Sequence, residues 1–210
     1  IYVRLARLIA RLEVLTDRGL DFITRGNSGD STTAGMWQAI YGSFFIALFV
    51  ALVAFPLGIA AAVYIEEYAG DSWFSGLVSV NIRNLAGVPS IVYGLLGLTV
   101  FVKTLEGFTG GRSIIAGGLT LAILVLPIVI ITAAEALRAV PDCIRESFFV
   151  FVASRWEVVR GHVLPYAAPG ILTGTVLALA RALGEAAPLI LVGASVGFFD
   201  TADGTGTLDR

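Results

Sequence analysis

The chain of 210 residues contains a single cysteine, a single histidine and a single lysine, and each scarcity removes a class of chemistry. With Cys143 alone, no internal disulfide can form. With His162 alone, no multi-histidine metal site can be built. Lys103 follows Val102 where a Walker A motif requires glycine, so the chain cannot hydrolyse ATP through a P-loop. Charge is sparse as well: 14% of residues are charged and the net charge is −2. The basic residues form no patch interleaved with aromatics, which leaves nucleic-acid binding without support.

What the chain has in abundance is apolar surface. It is 57% hydrophobic with a mean hydropathy of +0.87, well above a soluble domain. Uncharged runs extend over residues 31–65, 85–102, 113–134 and 163–180. A spanning helix needs about 20 mostly apolar residues. Four spans are therefore predicted, at residues 40–65, 76–102, 113–136 and 169–194, in an all-α polytopic helix bundle. A soluble protein with buried helices would need polar helix faces to meet water, and these are absent.

The ends differ from the middle. Residues 1–25 carry Arg4, Arg7, Arg11, Arg18 and Arg25, with Leu5, Leu8, Ile9, Leu12 and Leu15 at helical spacing between the first of them. That pattern predicts an amphipathic helix lying at the membrane interface. It lacks the apolar core and cleavage site of a signal peptide. A Gly/Ser/Thr loop, "GNSGDSTTAG", follows at residues 26–35. The expected organisation is an interfacial segment and loop over 1–35, a transmembrane domain over 36–197 and a polar extracytoplasmic tail over 198–210. The chain begins at Ile1 rather than Met, which points to a piece of something longer.

Three connections join the spans. The first, "EEYAGDSW", is short and acidic; the second, "KTLEGFTGGR", is short and glycine-rich. The third runs over residues 138–165 and holds Arg138, Arg145, Arg155 and Arg160. By the positive-inside tendency the third is cytoplasmic, and alternation puts the first on the same side. The arginine-rich start conflicts with this, since four spans would leave it outside. Within the third connection two helical pieces are predicted: 141–153, with Pro141 near its start, and 155–164, stopped by Pro165. Phe148, Phe149, Phe151 and Val152 give the first piece an apolar surface. That surface either docks onto a partner or folds back on the membrane helices.

At this connection the sequence is recognisable. "ESFFVFVASRWEVVRGHVLPYAAPGI", residues 146–171, resembles the EAA loop of type I ABC importer permeases. Glu146 and Leu164-Pro165 stand in register with that pattern. The departures are Ser147 and Phe148 for two alanines, Val152 for the glycine at which the family's coupling helix turns, and His162 for isoleucine. "NIRNLAGVPSIVYGLLGL" (81–98), "GGLTLAILVLPIVIITAAEALRAVP" (117–141) and "LTGTVLALARALGEAAPLILVGA" (172–194) are similar to the A-type permease subunits of phosphate-specific (Pst) ABC transporters. The resemblance covers about residues 35–197. Such permeases usually have six spans, so a first and a last helix are expected outside these four.

The resemblance implies a multi-pass protein of a prokaryotic plasma (inner) membrane and a division of labour. Two similar permease subunits surround a path for phosphate through the lipid bilayer. Separate ATP-binding subunits hold ATP and Mg, and an extracytoplasmic phosphate-binding protein delivers substrate; this chain is not itself an enzyme and carries no cofactor. The loop that sits in a groove of the ATPase makes Glu146, Phe148, Phe149, Val152, Ala153, Ser154 and Arg155 the coupling candidates.

The stretch "ARALGEAAP", residues 180–188, places two full charges in an apolar run. A charge near the bilayer centre costs about 2.5–3.5 kcal/mol on insertion scales. Arg181 and Glu185, four apart, would share a helix face and can pair. One role is a buried ion pair that fixes helix packing. The other is a path lining, with the Arg181 fork suited to phosphate oxygens and Glu185 keeping it from holding the anion too tightly. Arg83, beside Asn81 and Asn84, either snorkels to the cytoplasmic interface or faces the inner mouth of the path. Pro56, Pro89, Pro127 and Pro188 fall within or beside spans and are candidates for kinks.

Other classes fit less of the chain. "GNSG", residues 26–29, matches a short rhomboid-protease pattern, but the only histidine lies in the loop assigned to the opposite side. A secondary transporter could use Glu135 and Glu185, and would leave the EAA-like loop without a purpose. Nearer alternatives are the sister permease of the phosphate system or a permease of this fold for another oxyanion.

Overall fold

The computed structural model describes residues 22–24, 35–70, 73–144 and 154–193, and every regular element among them is helical. The chain divides into two compact units, residues 1–45 with 195–210 and residues 46–194. In the first, the Met36 amide donates to the carbonyl of Phe22 at 2.9 Å. There Trp37, Tyr41 and Phe45 recur every fourth residue, with ring centroids 6.2 and 4.6 Å apart, an exposed aromatic ladder suited to a membrane–water interface.

The elements in chain order are α1 (Trp37–Val63), α2 (Trp73–Ala86), α3 (Ser90–Gly97), a short α4 (Glu106–Thr109), α5 (Ile114–Arg138), α6 (Arg155–Val158), α7 (Leu164–Gly184) and α8 (Ala186–Val192). Wide π-helical turns follow α1 (Tyr64–Tyr68) and α3 (Leu98–Thr104) and join α6 to α7 (Val159–Val163). Three helical runs are long and apolar enough to cross a membrane: Ala39–Tyr68, Ile114–Arg138 and Arg155–Gly184. The first and third predicted spans therefore form as expected.

The second and fourth do not. Residues 76–102 make a bent pair, Ser75–Ala86 and Ser90–Thr104, with 94° between them. The cause is local: Pro89 has no amide hydrogen and biases Val88 away from helical geometry. The ladder restarts with the Val92 amide donating to the Pro89 carbonyl at 3.0 Å. The Tyr93 hydroxyl donates to the Leu85 carbonyl at 2.8 Å, satisfying a group near the end of the interrupted ladder.

The fourth span begins earlier and ends sooner than residues 169–194. It runs from Arg155 to Gly184, so Pro165 does not stop a helix at 164. The wide turn before it has already re-registered the ladder, with the Leu164 amide reaching back to Val159, and Pro165 enters a first helical turn where a missing amide hydrogen is tolerated. At the other end a continuous helix would drive the Pro188 ring against the Gly184 carbonyl. The chain instead extends at Glu185 (φ −88°, ψ 95°) and starts α8 so that Pro188 falls in its first turn. Pro56, Pro127 and Pro169 lie inside helices that continue past them.

The hub of the larger unit is α5, which packs against α2, α3, α7 and α8. Its Leu121, Val125, Val129 and Leu137 are each 1% exposed or less. Lipid tails are as apolar as leucine, so helices in a bilayer gain by close backbone approach rather than by hiding from water. Glycine provides that approach on both flanks of α5. A Cβ at Gly58 or Gly118 would stand 2.7 or 2.5 Å from Val129 or Phe49, closing the seam with α1. One at Gly170 or Gly174 would stand 2.9 or 2.5 Å from Ala136 or Thr132, closing the seam with α7.

Candidate functional site

Charge collects at two places in the larger unit. The first is the wide turn that closes α1. There Glu66 turns its carboxylate inward, leaving the side chain 11% exposed. Arg138, the last residue of α5, meets it as a fork: Nε donates to Oε2 at 2.8 Å and Nη2 lies 2.7 Å from Oε1. An arginine at a helix C-terminus also suits the partial negative charge there. The next residue of the turn, Glu67, offers its backbone carbonyl to Arg155 Nη1 at 3.1 Å.

Arg155 is held there because it opens α6, whose N-cap is Ser154. The Ser154 hydroxyl accepts the Glu157 amide at 3.4 Å while Glu157 Oε2 accepts the Ser154 amide and hydroxyl, each at 2.8 Å. This reciprocal capping box defines the helix start. Ser154 and Arg155 thus have structural partners within the chain in addition to the coupling role expected of them. Glu146, Phe148, Phe149, Val152 and Ala153 lie outside the described residues, as do residues 1–21, the 26–29 stretch and the tail.

Arg83 sits in the last turn of α2 and lines a cleft with Glu66, Ser79, Ile82, Glu135 and Arg138. Of the residues around this cleft, sequence reasoning singled out Arg83, and Glu135 for a different role, and it missed the Glu66–Arg138 pair. The signal for that pair was the charge that follows each apolar run, Glu66 after 65 and Glu135 with Arg138 after 134, at ends that alternation places together. The Glu66 and Glu67 contacts do bring the first and third connections to one end of the helices.

The second place is the break between α7 and α8. Arg181 Nε lies 3.8 Å from Glu185 Oε1, with the side chains 53% and 21% exposed. Arg181 is still helical, but Glu185 has left the helix, so the pair does not sit on one continuous helix face as the four-residue spacing predicted. Arg181 shares the uncovered side of α7 with Thr173 and Leu177, while Ala178 and Ala182 turn into the core. The core cluster holding them also contains Tyr93, Val88 and Leu189, so the two helix breaks pack against the same group of side chains.

Residues 54–205 match the family described as binding-protein-dependent transport system inner membrane component. The chain is 38% identical over 213 residues to a Mycobacterium leprae protein named phosphate transport system permease protein PstA, covering 96% of this chain and 69% of that one. It is 37% identical over 161 residues to the Bacillus subtilis probable ABC transporter permease protein YqgH, covering 75% and 52%. The chain thus spans about half to two thirds of the length of these relatives. Among solved structures, a chain of the MetNI methionine ABC transporter in an inward-facing conformation superposes with a TM-score of 0.59 at 20% identity, over 78% of this chain and 73% of that one.

Proposed function

The chain belongs to the family of binding-protein-dependent transport system inner membrane components, and from that premise we propose that it is the membrane permease subunit of an ATP-driven phosphate importer. The observation that carries the substrate is the 38% identity to a phosphate transport permease over 96% of this chain. In this reading the chain forms half of the translocation path beside a second, similar permease. An extracytoplasmic phosphate-binding protein delivers the anion, and a separate ATPase holds ATP and Mg. The segment 139–154, between the end of α5 and the start of α6, faces that ATPase on the cytoplasmic side through Glu146, Phe148, Phe149, Val152, Ala153 and Ser154, with Arg155 beside it.

Arg181 is the residue assigned to the path. It is more than half exposed on the uncovered side of α7, and its contact with Glu185 is too long to be a hydrogen bond. Its donors are therefore available to an anion, with Glu185 close enough to weaken the hold. Arg83, in the cleft at the coupling end, is assigned to the inner mouth.

A second reading, the sister permease or a permease for another oxyanion, draws on the 37% identity to a relative whose name carries no substrate. Labelled phosphate uptake separates these. The full protein is supplied with its partners to cells lacking their own permease, with sulfate as competitor. ATP-dependent uptake that ignores sulfate is expected; no uptake from an assembled complex would refute the phosphate assignment.

A further inference from the structure

The segment 139–154 is bracketed by two contacts to a single turn. Arg138, where the segment leaves α5, forks Glu66, and Arg155, where it enters α6, holds the carbonyl of Glu67. The acceptors are consecutive residues in the wide turn Tyr64–Tyr68, yet lie 72 and 88 residues away from their donors in sequence. Beneath the polar contacts is an apolar bed. Val140 and Val158, 2% and 3% exposed on the two stems, pack in one cluster with Ala62 of α1 and Leu137 of α5.

Covalent continuity carries any displacement of the segment into α5 and α6. It does not carry displacement into α1, which the chain reaches only after a long detour. Only noncovalent contacts join the segment's stems to that helix. A forked guanidinium–carboxylate pair fixes orientation as well as separation, so it transmits rotation where a single contact would swivel. The turn that receives it directly follows α1 and has left α-helical register, a weaker geometry that can shift without unwinding the span.

We propose that Glu66, Arg138 and Arg155 are positioning residues that clasp the coupling segment to the end of α1, making the turn Tyr64–Tyr68 a receiver of the segment's motion. This rests on the importer reading above and deepens it: α1 is driven directly, and not only through its seam with α5.

The test uses the full protein assembled with its partner subunits in proteoliposomes, with phosphate moved and ATP hydrolysed measured on one preparation. Arg138→Lys keeps the charge and loses the fork; Glu66→Gln keeps the shape and loses the charge. Both are expected to retain basal ATP hydrolysis and to lower phosphate moved per ATP by about 2- to 30-fold, the range for residues that carry coupling. The exchange Glu66→Arg with Arg138→Glu should recover part of the loss. In a Cys143→Ser background, Glu66→Cys with Arg138→Cys joined by a bis-methanethiosulfonate linker, whose two disulfides form with loss of methanesulfinate and remain reducible, should regain coupling when linked and lose it on reduction. A native ratio in both single variants, or a ratio indifferent to linking, overturns the clasp. Should the native complex hydrolyse ATP and move no phosphate, the substrate assignment fails instead. The clasp is then read from stimulation of ATP hydrolysis by the binding protein, which linking must raise.

Discussion

At the end of α5, Arg138 meets Glu66 through contacts of 2.7 and 2.8 Å across 72 residues; at the break between α7 and α8, Arg181 approaches Glu185 once, at 3.8 Å, across four. The two arginines are equally exposed, at 52% and 53%, while Glu66 is 11% exposed against 21% for Glu185, so the pairs differ chiefly in how closely their charges meet. The tight pair is thus the one sequence spacing hides, and the visible pair is slack. An i,i+4 pair closes well only on a continuous helix. Pro188 prevents that continuity, so Glu185 leaves the ladder and Arg181 keeps donors in hand. A pair closed by two short contacts is a fastener, while a half-made pair beside a helix break remains free to engage something else.

Four changes would break or sharpen this contrast, in descending order of effect on thermal stability. Gly174→Leu acts on neither pair but on the seam that seats α7, where even a Cβ meets Thr132 Oγ1 at 2.5 Å. Overpacking of this kind costs about 1–3 kcal/mol or more, and a lowered unfolding temperature with loss of assembled protein is expected for both pairs' regions together. Arg138→Ala leaves the Glu66 carboxylate covered and unpaired. Breaking a buried pair costs about 3–5 kcal/mol, discounted here to about 1–2 because Arg138 is half exposed. Glu66→Gln with Arg138→Met should unfold at a higher temperature than Arg138→Ala, since no charge is stranded.

Ser154→Ala removes the capping box at the start of α6 and should cost about 1 kcal/mol. Faster amide exchange confined to the first turn after residue 154 would be the signature. Arg181→Ala is expected to change stability least, within about 1 kcal/mol, because an exposed, slack ion pair contributes little. Its effect should appear in transport instead, as an uptake loss of about 10- to 100-fold, the worth of a charge-assisted hydrogen bond to the anion. A large drop in unfolding temperature with uptake intact would move Arg181 to the packing role and erase the contrast.

Much of this was legible in the residues. Three of the four uncharged runs located crossing helices, and the arginine-rich third connection with alternation put the first connection at the same end of them. Both breaks had a local signature that the apolar pattern outweighed: Gly87 with Pro89, and Gly184 with Pro188. Hydropathy reads the solvent a segment prefers, not whether its ladder is continuous. The start of the fourth span was missed for the same reason, since Pro165 looked like a stop until the wide turn before it supplied a new register. The Glu66–Arg138 clasp had the weakest signal, because two charges at the ends of different helices carry no spacing that relates them.

Composition and pattern by themselves determined that this chain is a multi-pass helical membrane protein without P-loop chemistry, because hydropathy and missing residue types are properties of segments taken one at a time. The resemblance of residues 146–171 to a coupling loop, and the family match over residues 54–205, were likewise written in linear order. Which charges pair, which glycines let helices close, and which turn Arg138 and Arg155 hold were decided only in three dimensions. Each depends on the distance between atoms that the chain separates by tens of residues, and that distance is set by how α1, α2, α3, α7 and α8 pack against α5.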